Sequence, residues 1–141
     1  MKPILIGFWL CALVLAGGCG ASGDDDNPLA RWDGRYEIFE TFSNQTGDCV
    51  GTPSTTIYQG YMQVAIDGNA IDCDMDRYGH LKGEVRENGS IITNLSLSAG
   101  ESASLSGSFS DDGTFAGNLR HIYDGCTRNW LVDGNLPAAG E

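Results

Sequence analysis

Residues 56–75 read TIYQGYMQVAIDGNAIDCDM, and the alternation inside them decides the fold. Tyr58, Met62, Val64 and Ile66 fall on one face of an extended run while Gln59 and Gln63 fall on the other, the period-two pattern of a half-buried β-strand. The run stops at Asp67-Gly68, a dipeptide that supplies the positive φ angles of a tight hairpin, and a second run follows at once. Asn88-Gly89 and Asp112-Gly113 repeat the signal further along. Leu81 and Val85 oppose Lys82, Glu84 and Arg86; Ala103, Leu105 and Phe109 oppose Ser102, Ser104, Ser106 and Ser108; Phe115, Leu119, His121 and Tyr123 share one side of the next run.

Working outward, the chain from Trp32 onward carries no useful stretch of helical period. Adding the first and last runs predicts eight strands, at about 34–42, 56–66, 69–75, 79–87, 90–98, 102–110, 114–123 and 126–133. Eight antiparallel strands in sequence order are the right number to close on themselves, so the expected fold is an all-β up-and-down meander barrel, with a two-sheet β-sandwich as the alternative. In such a meander the three tight turns gather at one end. The other end collects the long loop Ser43 to Thr55, Met75-Asp76-Arg77-Tyr78, Ala99-Gly100-Glu101 and Asp124-Gly125. Long loops at one end of a rigid barrel are where a site is built.

The composition bounds the function. A chain of 141 residues with 41% hydrophobic content fits one globular domain. Its 19 Asp+Glu against 8 Lys+Arg leave a net charge of -11, and the few basic residues form no cluster, which argues against nucleic acid as a partner.

The N-terminus, MKPILIGFWLCALVLAGGCGASGDDDN, has one Lys, an apolar stretch from Ile4 to Ala16 and then small residues, the layout of a secretory signal peptide. Leu15-Ala16-Gly17-Gly18-Cys19 resembles the lipobox of bacterial lipoproteins, with Ala16 where that motif most often has Leu. The resemblance implies cleavage before Cys19 and acylation of its thiol; each buried acyl methylene contributes about 0.8 kcal/mol, so two or more chains anchor a domain stably on a membrane. Gly20, rather than Asp, implies passage to the outer membrane. The alternative is a plain signal peptide cleaved after Gly18 or Ala21 and a secreted protein. The expected organisation is a signal peptide over 1–18, a lipidated Cys19 with an acidic tether over 19–30, a barrel domain over 31–136 and a tail over 137–141.

Gly34-Arg35-Tyr36, with Trp32 just before it, resembles the opening of the calycins, small up-and-down barrels of lipocalin and avidin type. Those proteins start with Gly-x-Trp, whereas here the third place is Tyr36, and Val132-Asp133 stands where lipocalins carry the basic residue that covers the Trp. The resemblance implies architecture, not activity.

Three cysteines other than Cys19 lie in the expected barrel domain, and all three map to the loop-rich end: Cys49, Cys73 and Cys126. Export favours a disulfide. In a closed barrel Cys126 begins where the first strand finishes, within reach of a loop carrying Cys49, so the expected pair is Cys49 with Cys126; Cys49 with Cys73 is the competitor. The leftover thiol, Cys73, reads as a small buried hydrophobe or a reactive cysteine. His121 and Tyr123 on one strand and Arg128 and Trp130 on the next are the candidate ligand contacts at the barrel mouth.

Asp72-Cys73-Asp74-Met75-Asp76 alternates carboxylates, but an EF-hand would need Gly and Glu where Arg77 and Gly83 stand. A solvated acidic rim is expected, a weak cation site on Asp74 and Asp76 being the alternative. Two histidines without H-E-x-x-H or C-x-x-C spacing, and serines without a Gly-x-Ser-x-Gly elbow, point to neither metal, cofactor nor enzyme. The expectation is a lipid-anchored envelope protein that binds a small apolar ligand or another envelope component. A structural surface module without a pocket is the alternative.

Overall fold

In the computed structural model, which describes residues 27–137, every run of alternating residues forms a strand. These are β1 (Gly34–Gly47), β2 (Ile57–Asp67), β3 (Ala70–Met75), β4 (Gly79–Val85), β5 (Ser90–Ser98), β6 (Glu101–Phe109), β7 (Thr114–Tyr123) and β8 (Cys126–Asn135). Each pairs antiparallel with its neighbour in sequence and β8 returns to β1, closing the barrel. No edge strand is left, and the sandwich alternative falls. The signal peptide, Cys19, the tether up to residue 26 and the tail from 138 lie outside the described residues.

One boundary differs in a way that matters. β1 runs on to Gly47, so the first loop spans only residues 48–56. Its extra length pairs with β8 after a bulge between Phe42 and Asn44, with Gln45 opposite Arg128 and Gly47 opposite Cys126. A bulge inserts one residue and flips the faces beyond it. Even-numbered β1 residues therefore face inward up to Phe42, and Gln45 faces inward after it.

Inward side chains fill the barrel. Tyr36, Ile38, Met62, Val64, Leu81, Leu105, Leu119 and Trp130 are buried, each such burial contributing about 1.5–3 kcal/mol. The outer face carries Ser, Gln and charged residues, interspersed with exposed apolar side chains such as Phe39, Tyr61, Ile92 and Leu131. Among the described residues no helix is long and apolar enough to cross a membrane.

The turn-rich end is sealed by the incoming chain. A 3-10 turn, Pro28–Trp32, starts on Asn27, whose side chain accepts from the Leu29 amide at 3.1 Å. It lays Trp32 against Phe109, ring centroids 5.8 Å apart, and the Trp32 indole donates to the Ser110 carbonyl at 3.3 Å. Arg31 covers the outer face of the same indole, 3.8 Å from its centroid. The turns are tied too: Asp112 accepts from the Thr114 amide and hydroxyl at 3.1 and 2.7 Å. Gly89 sits at φ 88° where a β-carbon would meet the Phe109 carbonyl at 2.3 Å, so no other residue fits that turn.

Candidate functional site

The opposite end, built from residues 48–56, 76–78, 99–100 and 124–125, is organised by one covalent staple. Cys49 and Cys126 form a disulfide with their Cα atoms 4.6 Å apart, and the Asp48 amide donates to the Gly125 carbonyl at 3.1 Å. Loop 48–56 is thereby pinned to the start of β8. Gly47 makes the approach possible: at φ 89°, a β-carbon there would lie 2.2 Å from the Gly125 carbonyl oxygen. Cys73 stays free and fully buried, its thiol pushed up to about 12 by burial and by nearby Asp72.

Beside the disulfide lies a cavity of about 290 Å³, at the lower edge of the range for small-ligand sites, about 300–1,000 Å³. Its walls are Asp48, Val50, His121, Tyr123, Asp124, Cys126 and Arg128. Val50 and Tyr123 give it exposed apolar surface, 93% and 55% accessible. Asp124 holds a left-handed φ of 50°, unusual outside glycine, which turns the chain directly into β8. His121 is oriented by Glu101, Nε2 to Oε1 2.9 Å, and packs on Tyr78 with ring centroids 5.3 Å apart. Arg128 donates through Nε to Gln45 Oε1 at 3.3 Å, a contact that exists because the β1 bulge turns Gln45 inward.

Three of the four residues read from the sequence as ligand contacts thus come together: His121, Tyr123 and Arg128 line the cavity. Trp130 does not. It is 2% exposed and stands deeper in the barrel, in edge contact with Phe42 and Tyr58, ring centroids 5.4 Å apart in both cases.

Above Trp130 is a cluster that strand periodicity alone does not single out. Arg77, in the 76–78 loop, reaches into the mouth and pairs with Glu40 of β1. Its guanidinium carbon lies 3.7 Å from the Tyr58 ring centroid, 4.7 Å from Trp130 and 5.0 Å from Tyr78. Asp76 fixes the loop by accepting from the Tyr61 amide at 2.9 Å. Glu40 is 3% exposed, and burial raises its carboxyl above the ordinary carboxylate value against the opposing pull of Arg77. Burial likewise pushes the Tyr78 hydroxyl far up. A signal for Glu40 is present in the sequence, a charged residue on the inward parity of Tyr36 and Ile38; Arg77, in a loop, has none.

The acidic rim is occupied with its own partners. His80 Nδ1 lies 3.0 Å from Asp72 and its Nε2 3.6 Å from Asp74. Among the described residues no group of three or more His, Cys, Asp or Glu is placed to hold a metal ion.

No protein-family model and no curated protein matches the chain. Among solved structures it is similar to the monomer form of the M. tuberculosis PknI sensor domain, with 16% identity and a TM-score of 0.47 over 77% of this chain and 92% of that one.

Proposed function

We propose that this protein is a lipid-anchored cell-envelope module that binds a small, largely apolar molecule at the open end of its barrel and catalyses no reaction on it. The observation that carries the reading is the cavity beside the Cys49–Cys126 disulfide, at the mouth of a barrel whose middle is packed with buried apolar side chains. Val50 and Tyr123 would cover the apolar body of the ligand, and Arg128 and His121 would orient a polar end.

Chain entry supports an orientation. Asn27 and the 3-10 turn lie at the turn-rich end, where the Asn27 side chain donates to the Gly68 carbonyl at 3.0 Å. With acyl chains on Cys19, the eight residues 19–26 reach at most about 28 Å, so the turn-rich end would face the membrane and the cavity would face away from it.

The test has two arms. Intact mass of the protein from its native host, wild type against Cys19→Ala, reads the anchor: an acyl mass lost in the variant supports it, and an unmodified wild-type chain defeats it. Anilinonaphthalene sulfonate, with apolar rings and one anionic group, reads the cavity. Saturable fluorescence in the wild type that falls at least about tenfold in affinity in Tyr123→Ala and Arg128→Ala supports the site, a loss within reach of a single buried contact; equal binding by all three rejects it. A second reading, docking of another envelope component on the rim, is favoured by the exposure of Val50, Ile57 and Tyr123. Its mark is cross-linking to a host protein through the 48–56 loop with no probe binding.

A further inference from the structure

The 290 Å³ cavity uses neither Glu40 nor Arg77, yet these form the most heavily invested polar feature of the barrel. A carboxylate that is 97% buried costs several kcal/mol in desolvation, and a well-packed apolar pair at the same place is often as stable or more so. Sealing the mouth does not require a charge. What the charge does provide is selectivity for a cation.

The surrounding geometry is that of a cation receptor. The ring centroids of Tyr58, Trp130 and Tyr78 lie 3.7–5.0 Å from the guanidinium carbon, and Glu40 supplies the counter-charge. Aromatic faces plus a desolvated carboxylate recognise organic cations, and a planar guanidinium stacks on such faces better than an ammonium. Three of these four groups are fixed by the closed ladder, since Glu40 belongs to β1, Tyr58 to β2 and Trp130 to β8. The cation comes on a flexible stem from the 76–78 loop, which also supplies Tyr78, and its side chain is 28% exposed where that of Glu40 is 4%. A cleft of about 60 Å³, lined by Ile38, Glu40, Tyr58, Gly60 and Arg77 among others, lies alongside. Two groups of the walls, the Tyr78 hydroxyl and the Trp130 indole N–H, are buried with no hydrogen-bond partner among the described residues. Such groups are rare in folded proteins, and an ordered water or a ligand would satisfy them.

We propose that the mouth of the barrel is a binding site for a small guanidinium compound, and that Arg77 is its tethered occupant, holding the site until an external guanidinium displaces it. Being on the same chain, Arg77 competes at an effective concentration of about millimolar or more, so the intact protein responds only to ligands that exceed it. The unpartnered Trp130 N–H favours a ligand that also carries a hydrogen-bond acceptor. This site stands apart from the cavity proposed above, whose walls Val50 and Tyr123 it does not use.

The experiment vacates the site and refills it. Mature Arg77→Ala protein is titrated with methylguanidinium chloride, following tryptophan fluorescence and thermal midpoint, with sodium chloride at equal ionic strength and urea as the neutral isostere. The expected result is a saturable response to methylguanidinium alone, with a midpoint rise of several degrees, an affinity at least about tenfold tighter than that of the wild type, and loss of the response in Arg77→Ala/Glu40→Gln. A response no larger than that to sodium chloride, or one that survives Glu40→Gln, overturns the proposal. Should Arg77→Ala fail to fold, its refolding yield with and without methylguanidinium becomes the readout, alongside Arg77→Met, which keeps the apolar stem. Rescue by methylguanidinium but not by urea or salt supports the site, and rescue by none of them in either variant overturns it. Anilinonaphthalene sulfonate binding in the same variants separates failure here from failure of the cavity beside the disulfide.

Discussion

The two ends of the barrel are closed by opposite means. At the turn-rich end Trp32, Phe109, Phe115 and Leu29 make an apolar plug, the turns are held by their own Asn and Asp side chains, and both chain termini of the domain pack there, Leu136 donating to the Gly113 carbonyl at 2.8 Å. At the other end a disulfide ties the longest loop, a charged pair fills the mouth, and a cavity remains. Apolar burial is non-directional and has no alternative partner in water, so the first end is built to stay shut. A guanidinium can exchange its carboxylate for solvent or for a competitor. The difference gives one end to stability and leaves the other as the place of the proposed recognition, on a single continuous sheet.

Trp32→Ala should produce the largest loss, up to about 5 kcal/mol in denaturant unfolding, since it removes a large buried ring and its indole hydrogen bond. A loss below 1 kcal/mol would mean that the 3-10 turn is an ornament on the barrel and that the contrast between the ends is false. Replacing Cys49 and Cys126 by Ala should cost roughly 4 kcal/mol, because the bridge spans 77 residues of sequence and loop entropy grows slowly with that length. Amide exchange should then accelerate in residues 48–56 and 124–128 and remain slow around Trp32 and Phe109. Uniform acceleration would show that the staple serves the whole barrel.

Glu40 sharpens the contrast through pH. Burial raises its carboxyl, so the folded state holds that proton more tightly than the unfolded chain does. The stability this group contributes is complete below the ordinary carboxylate range, about pH 4, and is lost as pH rises through the raised value. Relative to Glu40→Gln, which cannot titrate, the wild type should therefore lose thermal stability as pH goes from about 4 towards neutral. A difference that is flat with pH would show that Arg77 fully offsets the burial. The smallest effect is expected in the packed middle: Cys73→Ala should cost about 1 kcal/mol, and the native thiol, pushed up to about 12, should resist alkylation until the barrel unfolds. Rapid labelling of the folded protein would place a functional thiol where only packing is assigned.

Much of this is legible in the sequence, for a definite reason. Period-two alternation and the φ demands of Asp67-Gly68, Asn88-Gly89 and Asp112-Gly113 are local properties, readable within ten residues. They give strand count and direction, hence which loops share an end, hence the proximity of Cys49 to Cys126 and of His121 to Arg128. Trp130 lies apart from the cavity that His121, Tyr123 and Arg128 line, because parity tells which face a residue takes but not how deep it lies. The full length of β1 is not legible, because Asn44 to Gly47 are extended by their partners on β8 and not by any pattern of their own.

Neighbours along the chain alone account for the all-β class, the order and sense of eight strands and the end that gathers the loops with Cys49 and Cys126. Only the tertiary structure decided that the barrel closes through β1 and β8, that a bulge turns Gln45 towards Arg128, and that Arg77 enters the mouth to meet Glu40. That last pair is 37 residues apart, and a flexible loop side chain takes its position from whatever charge and aromatic surface the closed sheet presents to it.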